Sequence, residues 1–212
     1  MKMNDIDPYQ GRAGEYDEWY DQHRPVYEAE LTAVRSLVPH FGIGLEIGVG
    51  TARFGAPLKI NYGLEPSAAM RAVARLRGVR IVAGTAEAIP FLDRSFDLIL
   101  MVTAMELLRD PHAALEECRR ILRPNGQILI GFIDPDRPIG REFARTNPSR
   151  RPTALRFFTP PEMQLLLAET GFKGFDLCQT LFGTLEQVSS GEPIRKGFGQ
   201  GSFVVVRAVK KR

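Results

Sequence analysis

The residues best suited to chemistry in this chain are two acids and two glycines. Glu46 comes two positions before Gly48, Gly50 follows after one more residue, and Glu65 stands fifteen positions beyond Gly50. Glycines at this spacing let a ligand approach the backbone where a side chain would block it. A helix beginning after them would present free N–H groups and the positive end of its dipole. An acid closing the next apolar run is placed to accept hydrogen bonds from ribose hydroxyls. Together these features describe a site for an adenosine-containing cofactor. A dinucleotide fingerprint starting at Gly48 would need glycine at position 53, where the chain has Arg53, so a nicotinamide dinucleotide is disfavoured.

A second group lies nearer the N-terminus. Tyr16, Trp19, Tyr20 and His23 follow the i, i+3, i+4, i+7 pattern of one helix face. Two readings stand side by side: an amphipathic helix packed on the domain, or a helical lid, over about 15–38, that turns aromatic and imidazole groups toward a substrate.

The elements that must position these groups follow from periodicity and punctuation. After the aromatic helix, residues 26–38 continue as a helix with Leu31, Val34, Leu37 and Val38 on its apolar face, stopped by Pro39. Residues 43–47 form a first strand, 51–58 a short helix and 60–64 a second strand. Ser67 caps a helix over 68–77 that Gly78 ends. Strands follow at 79–83 and, as a nearly continuous apolar run, at 96–102. Asp110 and Pro111 open another helix, Pro124-Asn125-Gly126 makes a turn, and 127–133 is the fifth strand. Residues 134–158 break the rhythm with four prolines and many arginines and read as an insertion. Thr159 through Glu162 combines a capping box with proline at the first helical position. Strands at 172–181 and 202–209 have no helix between them and should run antiparallel to each other. The alternation predicts an α/β fold: a doubly wound, Rossmann-like sheet between helical layers, α/β/α.

Bulk properties narrow the class. Apolar residues are 44%, charged residues 25%, and the net charge is +3 with a pI near 9.0. That is ordinary for one soluble domain with a substantial core over 1–212. The basic clusters are local and read as solvated helix faces, not as the dense stripe of a nucleic-acid binder. Cys118 and Cys178 are far apart and in no paired spacing, so they suggest neither a metal site nor a disulfide framework. His40 and His112 have no partner pattern. The absence of an N-terminal apolar segment and of any long apolar run predicts a cytoplasmic protein that spans no membrane.

With these elements in order, the chain resembles the class I methyltransferases that use S-adenosylmethionine, most closely their small bacterial members of the type-11 motif pattern. The resemblance is specific over about residues 43–132. It implies a seven-stranded, mostly parallel sheet whose last strand is antiparallel. It matches the first motif to Glu46-Ile47-Gly48-Val49-Gly50-Thr51-Ala52, with Ala52 where the family usually has a third glycine. Glu65 would hold the ribose, and Pro66 and Met70 would flank the adenine. The third motif is Gly84-Thr85-Ala86-Glu87, in which Thr85 replaces an acid and the backbone N–H of Ala86 reaches the adenine ring. The segment 96–103, ending at Thr103, resembles the fourth motif. The implied function is transfer of a methyl group from S-adenosylmethionine to a small-molecule acceptor, leaving S-adenosylhomocysteine.

Direct displacement on an activated methyl needs alignment and exclusion of water, and a base only if the acceptor must lose a proton early. No catalytic residue stands out. Candidates near the mouth of the site are His23, Tyr20 and Glu106, with Tyr16, Trp19, Tyr20, His23 and Glu106 as candidate acceptor contacts. Arg137, Arg141, Arg145, Arg150, Arg151 and Arg156 leave room for an acidic or phosphorylated acceptor. Two alternatives remain: a protein that binds S-adenosylmethionine or S-adenosylhomocysteine without catalysis, and an NAD-type oxidoreductase.

Overall fold

The structure is a computed structural model that describes residues 12–146 and 156–211. The elements run in the order α1 (Ala13–Gln22), α2 (Arg24–Leu37), β1 (Gly44–Ile47), β2 (Tyr62–Leu64), α3 (Ala68–Leu76), β3 (Arg80–Val82), β4 (Phe96–Val102), α4 (Pro111–Ile121), β5 (Leu122–Ile133), α5 (Pro138–Thr146), α6 (Pro160–Glu169), β6 (Phe172–Thr180), β7 (Arg195–Lys196) and β8 (Phe203–Lys210). Short 3-10 turns stand at Met105–Leu107 and Leu185–Gln187.

The strands form one sheet in the order β3-β2-β1-β4-β5-β8-β6-β7. Strands β1 to β5 pair in parallel, and β8 runs antiparallel to both β5 and β6. The strand count is eight where seven were expected. The extra strand is β7, two residues long, which pairs Arg195 and Lys196 with Gln179 and Cys178 at the sheet edge. The strand order reverses between β1 and β4. In open α/β sheets that reversal opens a crevice at the carboxyl ends of the strands.

The strands alternate their side chains between two cores. From β4, Ile99 and Met101 pack with Leu115, Cys118, Met163 and Leu167 of α4 and α6. Leu98, Leu100 and Val102 face the other way, into a cluster with Val26, Ala29, Ala33 and Val34 of α2. Strand β8 splits likewise: Val204, Val206 and Ala208 on one face, Phe203 and Val205 on the other. Burial of both faces explains why β4 reads as an unbroken apolar run.

Helix starts carry the expected caps. Ser67 accepts from the Met70 N–H at 3.4 Å, and Asp110 from the Ala113 N–H at 3.0 Å. Thr159 and Glu162 form a capping box ahead of α6.

Three local expectations are corrected. Residues 51–59 are a succession of turns rather than a helix: Ala52 and Lys59 have φ of 66° and 60°, and Pro57 falls between them. Strand β5 begins at Leu122, not 127. Its pairing with β4 jumps from Phe96↔Leu122 to Leu98↔Gln127, so the Pro-Asn-Gly segment bulges out within the strand. The stretch 134–158 contains helix α5; its residues 147–155, with Arg150 and Arg151, lie outside the described residues. Among the described residues no helix is long and apolar enough to cross a membrane.

Candidate active site

The β1 exit is built from backbone that turns repeatedly through left-handed conformation. Gly48, Gly50 and Ala52 have φ of 66°, 53° and 66°. The N–H groups of Gly48 and Val49 both bond the Leu64 carbonyl, at 2.9 and 3.2 Å, which ties the loop to the end of β2. A Cβ on Gly48 would come within 2.8 Å of the Ala104 Cβ, so φ and space both require glycine there. Gly50 lies under the Tyr16 ring, about which a Cβ would stand at 3.5 Å.

Glu65 closes β2 and is buried. One carboxylate oxygen accepts from the Gly50 N–H at 2.9 Å, the other from the Ser67 N–H at 2.9 Å. The acid that sequence reasoning assigned to ribose is thus joined to the glycine loop and to the start of α3. A carboxylate has acceptor sites for hydroxyl groups as well as for these N–H donors. Arg71 fixes the same turn by donating to the carbonyls of Glu65 and Pro66 at 2.9 and 2.6 Å.

Glu46 is placed differently. Its carboxyl group is buried and accepts from the Gly55 N–H at 2.8 Å, so it braces the far end of the loop from beneath. Burial pushes its pKa up to about 8, against the pull of the Gly55 hydrogen bond and with a further push from Glu65.

Of the residues expected to flank adenine, Pro66 is exposed and Met70 buried at the start of α3. Thr85 is exposed and Ala86 buried in a tight turn closed by the Ala88 N–H on the Thr85 carbonyl. The Glu87 carboxylate accepts from the Arg109 N–H at 3.0 Å, holding this turn against the segment that leads into α4.

The α1 residues expected to contact an acceptor divide. Tyr16 and Tyr20 share a hydroxyl–hydroxyl hydrogen bond of 2.9 Å, and the buried Tyr20 ring meets Tyr27 and Phe54 edge-on. Trp19 and His23 stack on each other at 4.5 Å. The His23 Nδ1 lies 2.9 Å from the Trp19 carbonyl, so the imidazole is engaged by its own helix. Thr103 follows β4 with φ of 46°, a strained value for a residue branched at Cβ, and its N–H bonds the Gly131 carbonyl at 2.8 Å. Glu106, three residues on, is buried.

Sequence reasoning missed two features. Arg53 joins α1 to the glycine loop. It donates to both Asp17 carboxylate oxygens and the Asp17 carbonyl, each at 2.8 Å, and to Asp21 at 2.8 and 2.9 Å. Arg77 adds bonds to Asp17 and to the Thr51 carbonyl, both at 2.6 Å, and the Thr51 hydroxyl donates to Asp17 at 2.7 Å. Burial alone would raise the Asp17 pKa, but the hydrogen bonds from Arg77, Arg53 and Thr51 hold it well below the usual carboxylate range. The second feature is Glu30, buried on the apolar face of α2 and electrostatically coupled to Glu106. Its position within a helical repeat gave no sign of this. The signal available was a single acid between Ala29 and Leu31, on the face that packs inward.

Of the arginines assigned to an acidic acceptor, Arg137 pairs with Asp134 at 3.4 Å, and Arg156 stacks on the Phe158 ring at 4.9 Å.

The carboxyl ends of β1, β2 and β4 thus bring together a glycine loop, a buried carboxylate and, over Gly50, the aromatic helix α1. The residues fit a nucleoside cofactor in their chemistry: a buried carboxylate, able to accept from hydroxyl groups, is fixed beside a glycine loop.

Comparison with known proteins agrees with this geometry. Residues 45–130 match the family model of a methyltransferase domain. A crystal structure of a S-adenosylmethionine-dependent methyltransferase, possible histamine N-methyltransferase, from Thermotoga maritima is similar with a TM-score of 0.93 and 42% identity, covering 98% of this chain and all of that one. An uncharacterized protein of Methanocaldococcus jannaschii is 36% identical over 209 residues, 98% of this chain and 100% of its own. The ubiquinone/menaquinone biosynthesis C-methyltransferase of Stenotrophomonas maltophilia is 30% identical over 181 residues, 69% of this chain and 72% of its own. The chain belongs to the class I S-adenosylmethionine-dependent methyltransferases.

Proposed function

We propose that this chain transfers the methyl group of S-adenosylmethionine to a small-molecule acceptor bound beneath α1 and α2. The observation that carries the reading is Glu65, buried at the end of β2 and bonded at once to Gly50 and Ser67. In this reading Glu65 takes the ribose hydroxyls, the backbone of Gly48 and Gly50 borders the methionine end, and Pro66, Met70, Thr85 and Ala86 border the adenine. Glu46 and Glu87 then act one layer back, holding the loops through Gly55 and Arg109. The bound sulfonium supplies an electrophilic methyl and a neutral thioether leaving group.

The chain's own part is alignment and exclusion of water. Tyr16 over Gly50, with the Tyr20 and Tyr27 rings behind it, gives an apolar cover close to the cofactor loop. We assign the acceptor contacts to Tyr16, Tyr20, Thr103 and Glu106. His23 and Trp19 support the helix from outside that group. The relatives differ in acceptor atom, one named for nitrogen and one for carbon, so the acceptor's nature must come from this chain's residues.

The test is transfer of labelled methyl from S-adenosylmethionine to fractionated metabolite pools. A labelled small molecule, formed with S-adenosylhomocysteine in equal amount, is the expected result. Tight binding of S-adenosylmethionine with no label transferred to any fraction would instead support the non-catalytic binding protein.

A further inference from the structure

Arg71 stands one turn into α3, half-buried, and makes bonds that the helix itself does not require. Its Nη1 donates to two successive backbone carbonyls, that of Glu65 at 2.9 Å and that of Pro66 at 2.6 Å. No ion pair joins it to a carboxylate among the described residues. A cation this near the start of a helix meets the positive end of the dipole, and no acid stands in the first turn of α3 to offset it. Helix stability therefore does not account for a guanidinium at this place.

What the guanidinium grips does account for it. The Pro66 carbonyl and the Ser67 N–H are the two sides of one planar peptide group, so holding the carbonyl sets the direction of the N–H. That N–H donates to one Glu65 carboxylate oxygen at 2.9 Å, and the Gly50 N–H donates to the other at 2.9 Å. The second carbonyl in the grip, that of Glu65, belongs to the peptide bond into Pro66. One side chain thus holds the peptide groups on both sides of Pro66. The Glu65 backbone N–H is tied separately, to the Val82 carbonyl of β3 at 3.1 Å. Contacts run without a gap from the Arg71 guanidinium through the Pro66–Ser67 peptide to the Glu65 carboxylate.

We propose that Arg71 is a positioning residue that sets the direction of the Glu65 carboxylate and, through it, the preference for a ribose with both hydroxyls over a deoxyribose. The proposal rests on the methyltransferase reading above, in which Glu65 takes the ribose hydroxyls, and deepens it. Hydrogen bonds weaken steeply away from a linear geometry. A carboxylate gains from two neighbouring hydroxyls only when both its oxygens are aimed at them. Without Arg71 the Pro66–Ser67 peptide is free to tilt, the Ser67 N–H moves off its carboxylate oxygen, and the aim is lost. A ligand that lacks one hydroxyl has less to lose by that change. Arg71 acts through Glu65 and the peptide it holds, and its own place is outside the reacting atoms.

The test is calorimetric titration with S-adenosylhomocysteine and with its 2′-deoxy and 3′-deoxy analogues. The wild-type protein should bind the ribose form at least about tenfold tighter than either analogue, the scale of one hydrogen bond to a charged group. Arg71→Met keeps the apolar stem and removes the grip. It should cut that preference to about threefold or less, while affinity for the deoxy analogues changes less than about twofold. Arg71→Lys, with a single point donor, should fall between the two. If Arg71→Met fails to fold, Arg71→Lys carries the test, and its preference must lie below that of the wild type. A loss of affinity by the same factor for all three ligands would mark a merely structural role and overturn the proposal. An undiminished preference in the variants, or no preference in a wild-type protein that binds S-adenosylhomocysteine, would overturn it as well. Failure of the wild-type protein to bind S-adenosylhomocysteine at all would overturn the underlying methyltransferase reading, a distinguishable outcome.

Discussion

Glu30 and Glu46 are acids placed where water is scarce, and that has a consequence for stability. Burial is the first cause in both, and both are pushed up to about 8, above the unfolded-state value of 4.5. Between those two values the unfolded chain has released protons that the folded chain still binds. Stability therefore falls as pH rises through that window, by on the order of a few kcal/mol for each group, and levels off above it. Asp17 works in the opposite sense, but its contribution is lost only in acid, below the ordinary carboxylate range, and does not overlap. Thermal unfolding followed from pH 5 to pH 8 should show a falling Tm, and Glu46→Gln should flatten the fall; a Tm that rises across this range would contradict the assignment. Ala52 shows a balance of small terms. Its left-handed backbone costs about 1–2 kcal/mol relative to glycine, while its buried methyl returns about 0.8 kcal/mol and it restricts the unfolded chain. The replacement of the third motif glycine is therefore tolerated by the fold.

Among the elements, α1 is the one whose placement depends on a few polar bonds. Helix α1 is short, and its ties through Asp17 run to Thr51 and Arg53 in the loop after β1 and to Arg77 at the end of α3. Arg53 is 14% exposed at its side chain, so the network is shielded more than a surface ion pair. Removing Asp17 leaves two partly buried guanidinium groups with Asp21 alone on α1. Asp17→Ala should cost about 1–3 kcal/mol of stability and weaken S-adenosylmethionine binding roughly three- to tenfold, because Tyr16 over Gly50 is held by this helix. Limited proteolysis within α1, together with a S-adenosylmethionine titration, checks both effects. Unchanged affinity and unchanged cleavage would show that α1 is seated by its aromatic packing alone.

At the scale of the whole molecule, the sheet was readable because its strands are buried on both faces and its helices are punctuated by caps and prolines. Runs such as 96–102 and caps such as Asp110-Pro111 and Thr159-Pro160 combine local signals that agree. Where local signals conflict with tertiary demands, the reading failed. Residues 51–59 have helix-compatible composition, but the loop must return to β2 through left-handed turns, with Tyr27 donating to the Arg53 carbonyl at 2.6 Å. Strand β7 exists only because two residues meet the edge of β6, which no period of two can announce. The residues proposed for the cofactor could be named from spacing along one segment. The burial of Glu30 was not legible, because it follows from how α2 packs on the sheet across the fold. The direct test of the whole account is titration of the wild-type protein and Glu65→Ala with S-adenosylmethionine and with NAD. The account predicts binding of S-adenosylmethionine but not NAD, weakened at least about tenfold by the substitution, since a carboxylate accepting two hydroxyl groups contributes more than about 1.4 kcal/mol. Equal affinity of wild type and Glu65→Ala for S-adenosylmethionine would contradict it.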